Sequence, residues 1–297
     1  MPSPKAIPVL LGAFVIAVVG FAWITADLFS GDLRERAVEA YPGAPWWKYN
    51  PDAEIATVYF DGSTGFEVAG GLEGLGITIV ETYRNEALAA LKTGEHQHLE
   101  QLGYEVFTYE NRTVSGGGAF TFDTLYGEPA IPLELRVNRI LSPDYDFFIL
   151  QFVGNIKEEW KVSIESRGIP FLNYLTPNSV VVKMSPSQEA SLMRLDYVQW
   201  IGIYQPAYKI SADLLPSTES WHILGVSMLK ISGSSDLKRV MRTALDVGGR
   251  ILYLWEDYGL NSGFEAFVPH SIVTKLAQDP QVFQVTLYSD ISWPLCQ

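Results

Sequence analysis

The feature that most constrains this chain is an internal repeat in its second half. Four residues of the segment 147–209 have a counterpart of the same type in the segment 226–288. The pairs are Gly154 and Gly233, Gly168 and Gly249, Pro186 and Pro269, and Tyr204 and Tyr288. The spacing between partners grows from 79 to 84 residues, so the second copy carries small loop insertions. A repeat of this length indicates one structural unit that is used twice.

Each copy alternates strand and helix patterns in the same order. Apolar residues recur at helical spacing in both copies, from Leu237 to Leu245 in the second and at Ile156, Trp160 and Ile164 in the first. The short segments "SVVVKM", "VQWIGIY", "FEAFV" and "VFQVTLY" are typical of strands. The order strand–helix–strand–strand–helix–strand predicts an α+β fold with tandem ferredoxin-like domains at residues 141–212 and 222–292. That fold supports many functions and by itself predicts none.

The N-terminus contains an uncharged segment, "AIPVLLGAFVIAVVGFAWITA", at residues 6–26. About 20 apolar residues are enough to cross a bilayer as a helix. Lys5 precedes the segment and Asp27 follows it, a charge asymmetry that favours a cytoplasmic N-terminus. We therefore predict a signal anchor and transmembrane helix within residues 1–30 and an extracytoplasmic location for the bulk of the chain. A cleaved secretion signal is the alternative.

Between the predicted anchor and the repeat, the pattern indicates a linker at 31–53 and a small α/β region with its connector at 54–140. "EIATVYF" and "GITIVETY" have strand character, and we expect the glycine-rich "AGGLEGLG" between them to form a turn. "NEALAALKTGEHQHLEQLG" is interpreted as a helix, because Leu88, Leu91, Leu99 and Leu102 recur at helical spacing. Residues 293–297 form a tail.

The formal net charge of -13 argues against nucleic acid as a partner, because neutralising phosphates requires clustered Lys and Arg. Cys296 is the one cysteine, which excludes an internal disulfide and a cysteine-based zinc site. The four histidines are scattered, and His96 and His98 point to different faces of the helix expected there. We predict no metal site and no cofactor.

Several segments of the first copy carry a more specific likeness. They are the strand-to-helix opening "QFVGNIKEEW", the hairpin "NYLTPNSVVVKM", the helix start "SPSQ" and the closing strand "VQWIGIYQPAYK". Together they resemble the propeptide-type domains that precede subtilisin-like serine protease catalytic domains. Two such units stand in tandem in several large secreted proteases, many of them archaeal, and "TFDTLYGEPAIP" resembles the connector upstream of them. The resemblance covers about residues 118–292.

This resemblance implies a folding chaperone and inhibitor whose partner is a subtilisin-like catalytic domain, in cis or in trans. A catalytic domain of that family needs Asp, His and Ser, each in its own motif. The chain has no D-[ST]-G, no H-G-T and no G-T-S-x-A, so we expect no enzyme activity. Either the chain is a separate regulator, or it is a precursor whose catalytic part is missing.

By the same resemblance, strands Val198–Tyr204 and Val282–Leu287 would contact the protease, and Ser289–Gln297 would lie in its active-site cleft. The predicted protease-binding residues are Val198, Trp200, Tyr204, Val282, Gln284 and Trp293. Two rival functions stay open. One is a tandem extracytoplasmic module that binds proteins or peptides unrelated to proteolysis. The other is an enzyme that uses a pocket between the repeats.

Overall fold

The computed structural model describes residues 44–110, 112–115, 120–137, 146–215, 217, 219–256 and 262–288. This part of the chain is a mixed α+β structure with three four-stranded antiparallel sheets and a two-stranded one, which confirms the α+β prediction. Within the described residues, no helix combines the length and the apolar character needed to span a bilayer. The anchor predicted at 6–26 and the tail predicted at 293–297 lie outside these residues.

Residues 54–108, here called the first unit, form a sheet of order β2-β3-β1-β4. Its elements are β1 (Glu54–Tyr59), α1 (Gly65–Gly74), β2 (Thr78–Thr82), β3 (Ala87–Leu91), α2 (Glu95–Gln101) and β4 (Glu105–Thr108). A hairpin follows, made of β5 (Thr113–Ser115) and β6 (Thr121–Asp123). This hairpin and the chain that follows it to residue 137 are called the connector.

Two predictions for the first unit were wrong. The glycine-rich segment expected to be a turn belongs to α1, which begins with a capping box between Thr64 and Glu67 and buries Val68 and Leu72. The long helix expected after it is a strand in its first half, since β3 is a central strand buried along its whole length. A short apolar run of this kind has the same periodicity in a buried strand and a buried helix.

Residues 147–203, the second unit, comprise β7 (Phe147–Phe152), α3 (Glu158–Glu165), β8 (Phe171–Thr176), β9 (Ser179–Lys183), α4 (Glu189–Leu192) and β10 (Val198–Ile203). Residues 221–287, the third unit, comprise β11 (Trp221–Met228), α5 (Ser234–Leu245), β12 (Arg250–Glu256), β13 (Ser262–Pro269), α6 (Val273–Gln278) and β14 (Val282–Leu287). The sheet orders are β10-β7-β9-β8 and β12-β13-β11-β14. All three units therefore share one strand order.

Each sheet has a face covered by the helices of its unit and an opposite face, here called the open face. In the second unit, Phe148, Leu150 and Phe152 point to the helix face and pack with Trp160 and Ile164 of α3. Successive strand residues alternate between faces, so Phe147 and Ile149 lie on the open face. What covers each open face distinguishes the three units.

The open face of the first unit packs in part against the second unit. Leu88 and Ala90 belong to the same buried cluster as the helix-face residues of the second unit. Asn155, just before α3, accepts a hydrogen bond from the Tyr83 hydroxyl at its carbonyl (3.0 Å) and one from the Tyr109 hydroxyl at its side chain (2.8 Å). Apolar and polar contacts thus join the two units.

Candidate interaction surface

The second and third units can be compared residue by residue. The amide of Tyr204 donates to the carbonyl of Phe147 (3.0 Å), and the amide of Tyr288 donates to the carbonyl of Ile223 (2.9 Å). Phe147 and Ile223 are therefore equivalent positions on the two open faces. Phe147 is 2% exposed and Ile223 is 38% exposed. The difference arises outside the sheets themselves.

The connector covers the open face of the second unit. The ring of Phe122 lies edge to face against Trp200, with the ring centroids 5.7 Å apart. The centroid of the same ring is 5.3 Å from that of Tyr208. Val114 is buried in the same cluster as Phe147. The chain therefore uses its own aromatic residues to bury the face that a partner would need.

The polar groups beneath the connector are also paired within the chain. Gln151 is fully buried on this face, accepts a hydrogen bond from the Thr124 hydroxyl (2.7 Å) and donates one to the carbonyl of Thr113 (3.2 Å). Gln205 accepts at its side-chain oxygen from the amide of Val137 (2.8 Å). Displacing the connector would leave these groups without partners, which is costly in a buried site.

The open face of the third unit carries large apolar side chains that no described segment covers. Trp221 stacks on Phe267 with ring centroids 5.0 Å apart, and Phe267 lies directly opposite Ile223 in the sheet. Phe267 is 43% exposed and Tyr253 is 53% exposed. Grouped exposed apolar residues of this kind mark interaction sites more often than scattered ones do.

Two further features shape this surface. Trp255 lies across Gly263, where a Cβ atom would come within 2.3 Å of the indole ring, so the close approach requires glycine. Glu265 faces Gly225 and is only 9% exposed, and its carboxylate lies near the Tyr288 hydroxyl. The surface thus combines a broad aromatic area with the largely buried carboxylate of Glu265.

The joint between the second and third units is buried. The Tyr204 hydroxyl donates to the carbonyl of Phe283 (2.6 Å), and the amide of Ser211 donates to the carbonyl of Val285 (3.0 Å). The Lys209 amine is fully buried and donates to the carbonyl of Asp279 (2.8 Å). Burial away from water lowers the pKa of Lys209 to about 7, although the nearby Asp279 carboxylate opposes this effect.

Among the residues predicted to bind a protease, Val198, Tyr204 and Val282 are fully buried. Trp200 is on the open face of the second unit, beneath the connector. Gln284 pairs with Ser227 on the open face of the third unit and is partly exposed. Trp293 lies outside the described residues. The structure does not bring the described members of this set together on one accessible surface.

Sequence reasoning did not single out the residues that form the exposed surface. These are Trp221, Ile223, Tyr253, Trp255 and Phe267. The signal was present in β11, where Trp221 and Ile223 alternate with His222 and Leu224, so that both faces of one strand are apolar. Such a strand is stabilised when both of its faces are covered, and the helices of the third unit cover only one of them.

The structure brings together two histidines that are distant in sequence. His222 is buried on the helix face of the third unit, with its Nε2 atom 3.0 Å from Nδ1 of His270. His222 lies within β11, and His270 directly follows β13. In the part of the chain that the structure describes, no group of three or more His, Cys, Asp or Glu side chains is arranged to hold a metal ion.

Comparison with known proteins gives one match. Residues 118–205 match a domain family of unknown function, DUF8729. The match spans under a third of the chain and takes in most of the connector and all of the second unit. It therefore coincides with the region in which the connector covers the open face. No curated protein and no solved structure matches the chain.

Proposed function

We propose that this chain is a non-catalytic binding protein that docks a folded protein partner through the open face of the third unit. The observation that carries the proposal is the contrast between equivalent faces, since the chain covers this face in the second unit and leaves it uncovered in the described part of the third. The surface is rich in Trp, Tyr and Phe, the residue types that dominate binding energy at protein interfaces.

The partner we favour is the catalytic domain of a subtilisin-like serine protease, in cis or in trans, on the strength of the sequence resemblance. In this role the chain is a folding chaperone and inhibitor, membrane-anchored through residues 6–26 and extracytoplasmic. We also assign the ferredoxin-like arrangement to the tandem domains 141–212 and 222–292. The shared strand order of the units supports this assignment.

The covered open face of the second unit changes which strands are available to contact the protease. Because the connector covers the face to which β10 contributes, we propose that strand Val282–Leu287 contacts the protease and strand Val198–Tyr204 does not. Gln284 then lies within the contact area, and Trp200 acts only within the chain.

The test is a titration of the full chain against a purified subtilisin-like catalytic domain. The readouts are inhibition of peptide hydrolysis and the rate at which the denatured protease regains activity. We expect the full chain to inhibit the protease at micromolar concentration. Phe267→Ser and Tyr253→Ser should each weaken this inhibition at least tenfold. The control is Phe66→Ser, which removes an even more exposed phenylalanine from α1 of the first unit.

Two outcomes would contradict the proposal. If the full chain neither inhibits the protease nor speeds its refolding, the protease is not the partner, and a binding module unrelated to proteolysis is the better interpretation. If the chain inhibits but the two face variants inhibit as well as Phe66→Ser does, the third unit's open face is not the docking surface.

A further inference from the structure

A second candidate site lies on the first unit, in a different sheet from the surface described above. The second unit covers the part of the first unit's open face that carries Ile55, Leu88 and Ala90. Along β4, the same face borders a cleft of about 830 Å³. The loop that follows β1 closes one end of the cleft, and Tyr109 lies at the other. A volume of this size accommodates a short peptide segment or a small molecule.

Aromatic rings form the floor of this cleft. On β1 and β4, Tyr59 pairs with Glu105 and is diagonal to Phe107, and the ring centroids of Tyr59 and Phe107 are 5.9 Å apart in an edge-to-face arrangement. Phe107 is 56% exposed. The Tyr59 hydroxyl is hydrogen-bonded to the Glu86 carboxylate, which holds the ring in place and raises the pKa of Tyr59 to about 12. The faces of such neutral rings attract cations.

The charge around the cleft has one sign. Twelve residues line it, and the charged ones are Asp61 and Glu105, with no Lys, Arg or His in the lining. Both carboxylates belong to exposed residues, so a ligand can reach them. Carboxylates beside exposed aromatic faces complement an ammonium or guanidinium group, which would gain both Coulombic and cation–π attraction.

The backbone supplies a further element of recognition. β4 is the terminal strand of its sheet and pairs only with β1 among the described residues. The outer edge of a terminal strand presents amides and carbonyls that can pair with an extended peptide. Glu105, Phe107 and Thr108 of this strand, and Tyr109 directly after it, line the cleft.

We propose that the cleft binds an extended peptide segment that adds to β4 and places a Lys or Arg side chain over Tyr59 and Phe107, beside Asp61 and Glu105. The proposal is independent of the protease partner, because it concerns a different unit and a different sheet. The peptide backbone provides pairing with the strand, and the basic side chain provides selectivity.

The experiment measures binding of three fluorescein-labelled pentapeptide libraries to the full chain by fluorescence anisotropy. The libraries have random flanking residues and Arg, Gln or Glu fixed at the centre. We expect the Arg library to bind at least tenfold more tightly than the Gln library, and the Glu library to bind more weakly than both. Equal affinity for the three libraries, or no binding of the Arg library at millimolar concentration, would overturn the proposal.

Variants locate the binding on the molecule. Phe107→Ala and Glu105→Gln remove exposed groups, so we expect both variants to keep the native circular dichroism spectrum. Phe107→Ala should lower the affinity for the Arg library at least fivefold. Glu105→Gln should reduce the preference for the Arg library over the Gln library. The control is Glu73→Gln, which removes an exposed carboxylate from α1 and is expected to change nothing. An Arg preference that both cleft variants leave unchanged would place the binding elsewhere and refute the proposed site.

Discussion

The second and third units share a strand order but differ in what covers their open faces. In the second unit, Phe122 of the connector packs on Trp200, and the polar groups below are paired with the connector. In the third, Trp221 and Phe267 stack on each other and are partly exposed. An open face that carries large apolar side chains is stabilised when it is covered, and in the second unit a segment of the same chain provides the cover.

The exposed face of the third unit and the covered face of the second do not differ in how apolar their residues are. Phe147 and Ile223 are both large and apolar, and each lies in a strand in which most residues are apolar. What differs is the cover, which comes from outside the unit. The match of residues 118–205 to a single domain family fits this view, because it includes most of that cover together with the unit beneath it.

The largest effect should come from placing a charge at the two equivalent positions. Phe147→Asp buries a carboxylate under the connector without a partner, so we expect a loss of about 4 kcal/mol or more in the free energy of unfolding. Ile223→Asp leaves the carboxylate in contact with water and should cost less than about 1 kcal/mol. Urea unfolding of the full chain, followed by circular dichroism, measures both. Equal losses would show that the third unit's face is covered as well.

Part of this fold could be predicted from the sequence. The repeat and the helical stripe at Leu237 and Val240 indicate the α+β class, because local periodicity reports local structure. The β3 strand was missed because its residues, Ala87–Leu91, are apolar at every position and include helix-favouring Ala and Leu. The central position of that strand in the sheet outweighs these local preferences.

The candidate site was harder to predict than the fold. Val198 and Val282 were chosen as protease-binding residues from their strands, but each strand has two faces, and both residues point into the helix-side core. The cover on the second unit depends on a contact between Phe122 and Trp200, which are far apart in sequence. Periodicity contains no information about such a contact, so it could not tell which open face stays exposed.

The next effect concerns the joint between the two units and depends on pH. The folded-state pKa of Lys209, about 7, lies below the value of about 10.4 for a free lysine. Between these values the unfolded chain binds more protons, so the free energy of unfolding rises with pH. We expect Lys209 to contribute up to about 1.4 kcal/mol per pH unit between pH 7 and 10.

The measurement is urea unfolding at pH 7, 8 and 9 for the wild type and for Lys209→Met. The difference between them isolates the contribution of Lys209, since the other groups titrate in both proteins. Lys238→Met is the control, because Lys238 is exposed on α5. If the wild type and Lys209→Met respond to pH in the same way, the lysine is charged and solvated in the folded joint.

The smallest effect compares the equivalent tyrosines that directly follow β10 and β14, Tyr204 and Tyr288. Tyr204→Phe leaves the carbonyl of Phe283 without its buried donor, so a loss of about 1 to 3 kcal/mol is expected. Tyr288→Phe removes a hydroxyl near Glu265 on a partly exposed surface, where water can replace it, and should cost less than Tyr204→Phe does. Both losses are measured as shifts of the urea midpoint at constant slope. A larger loss from Tyr288→Phe than from Tyr204→Phe would mean that the third unit's open face is the better protected of the two, and would reverse the comparison.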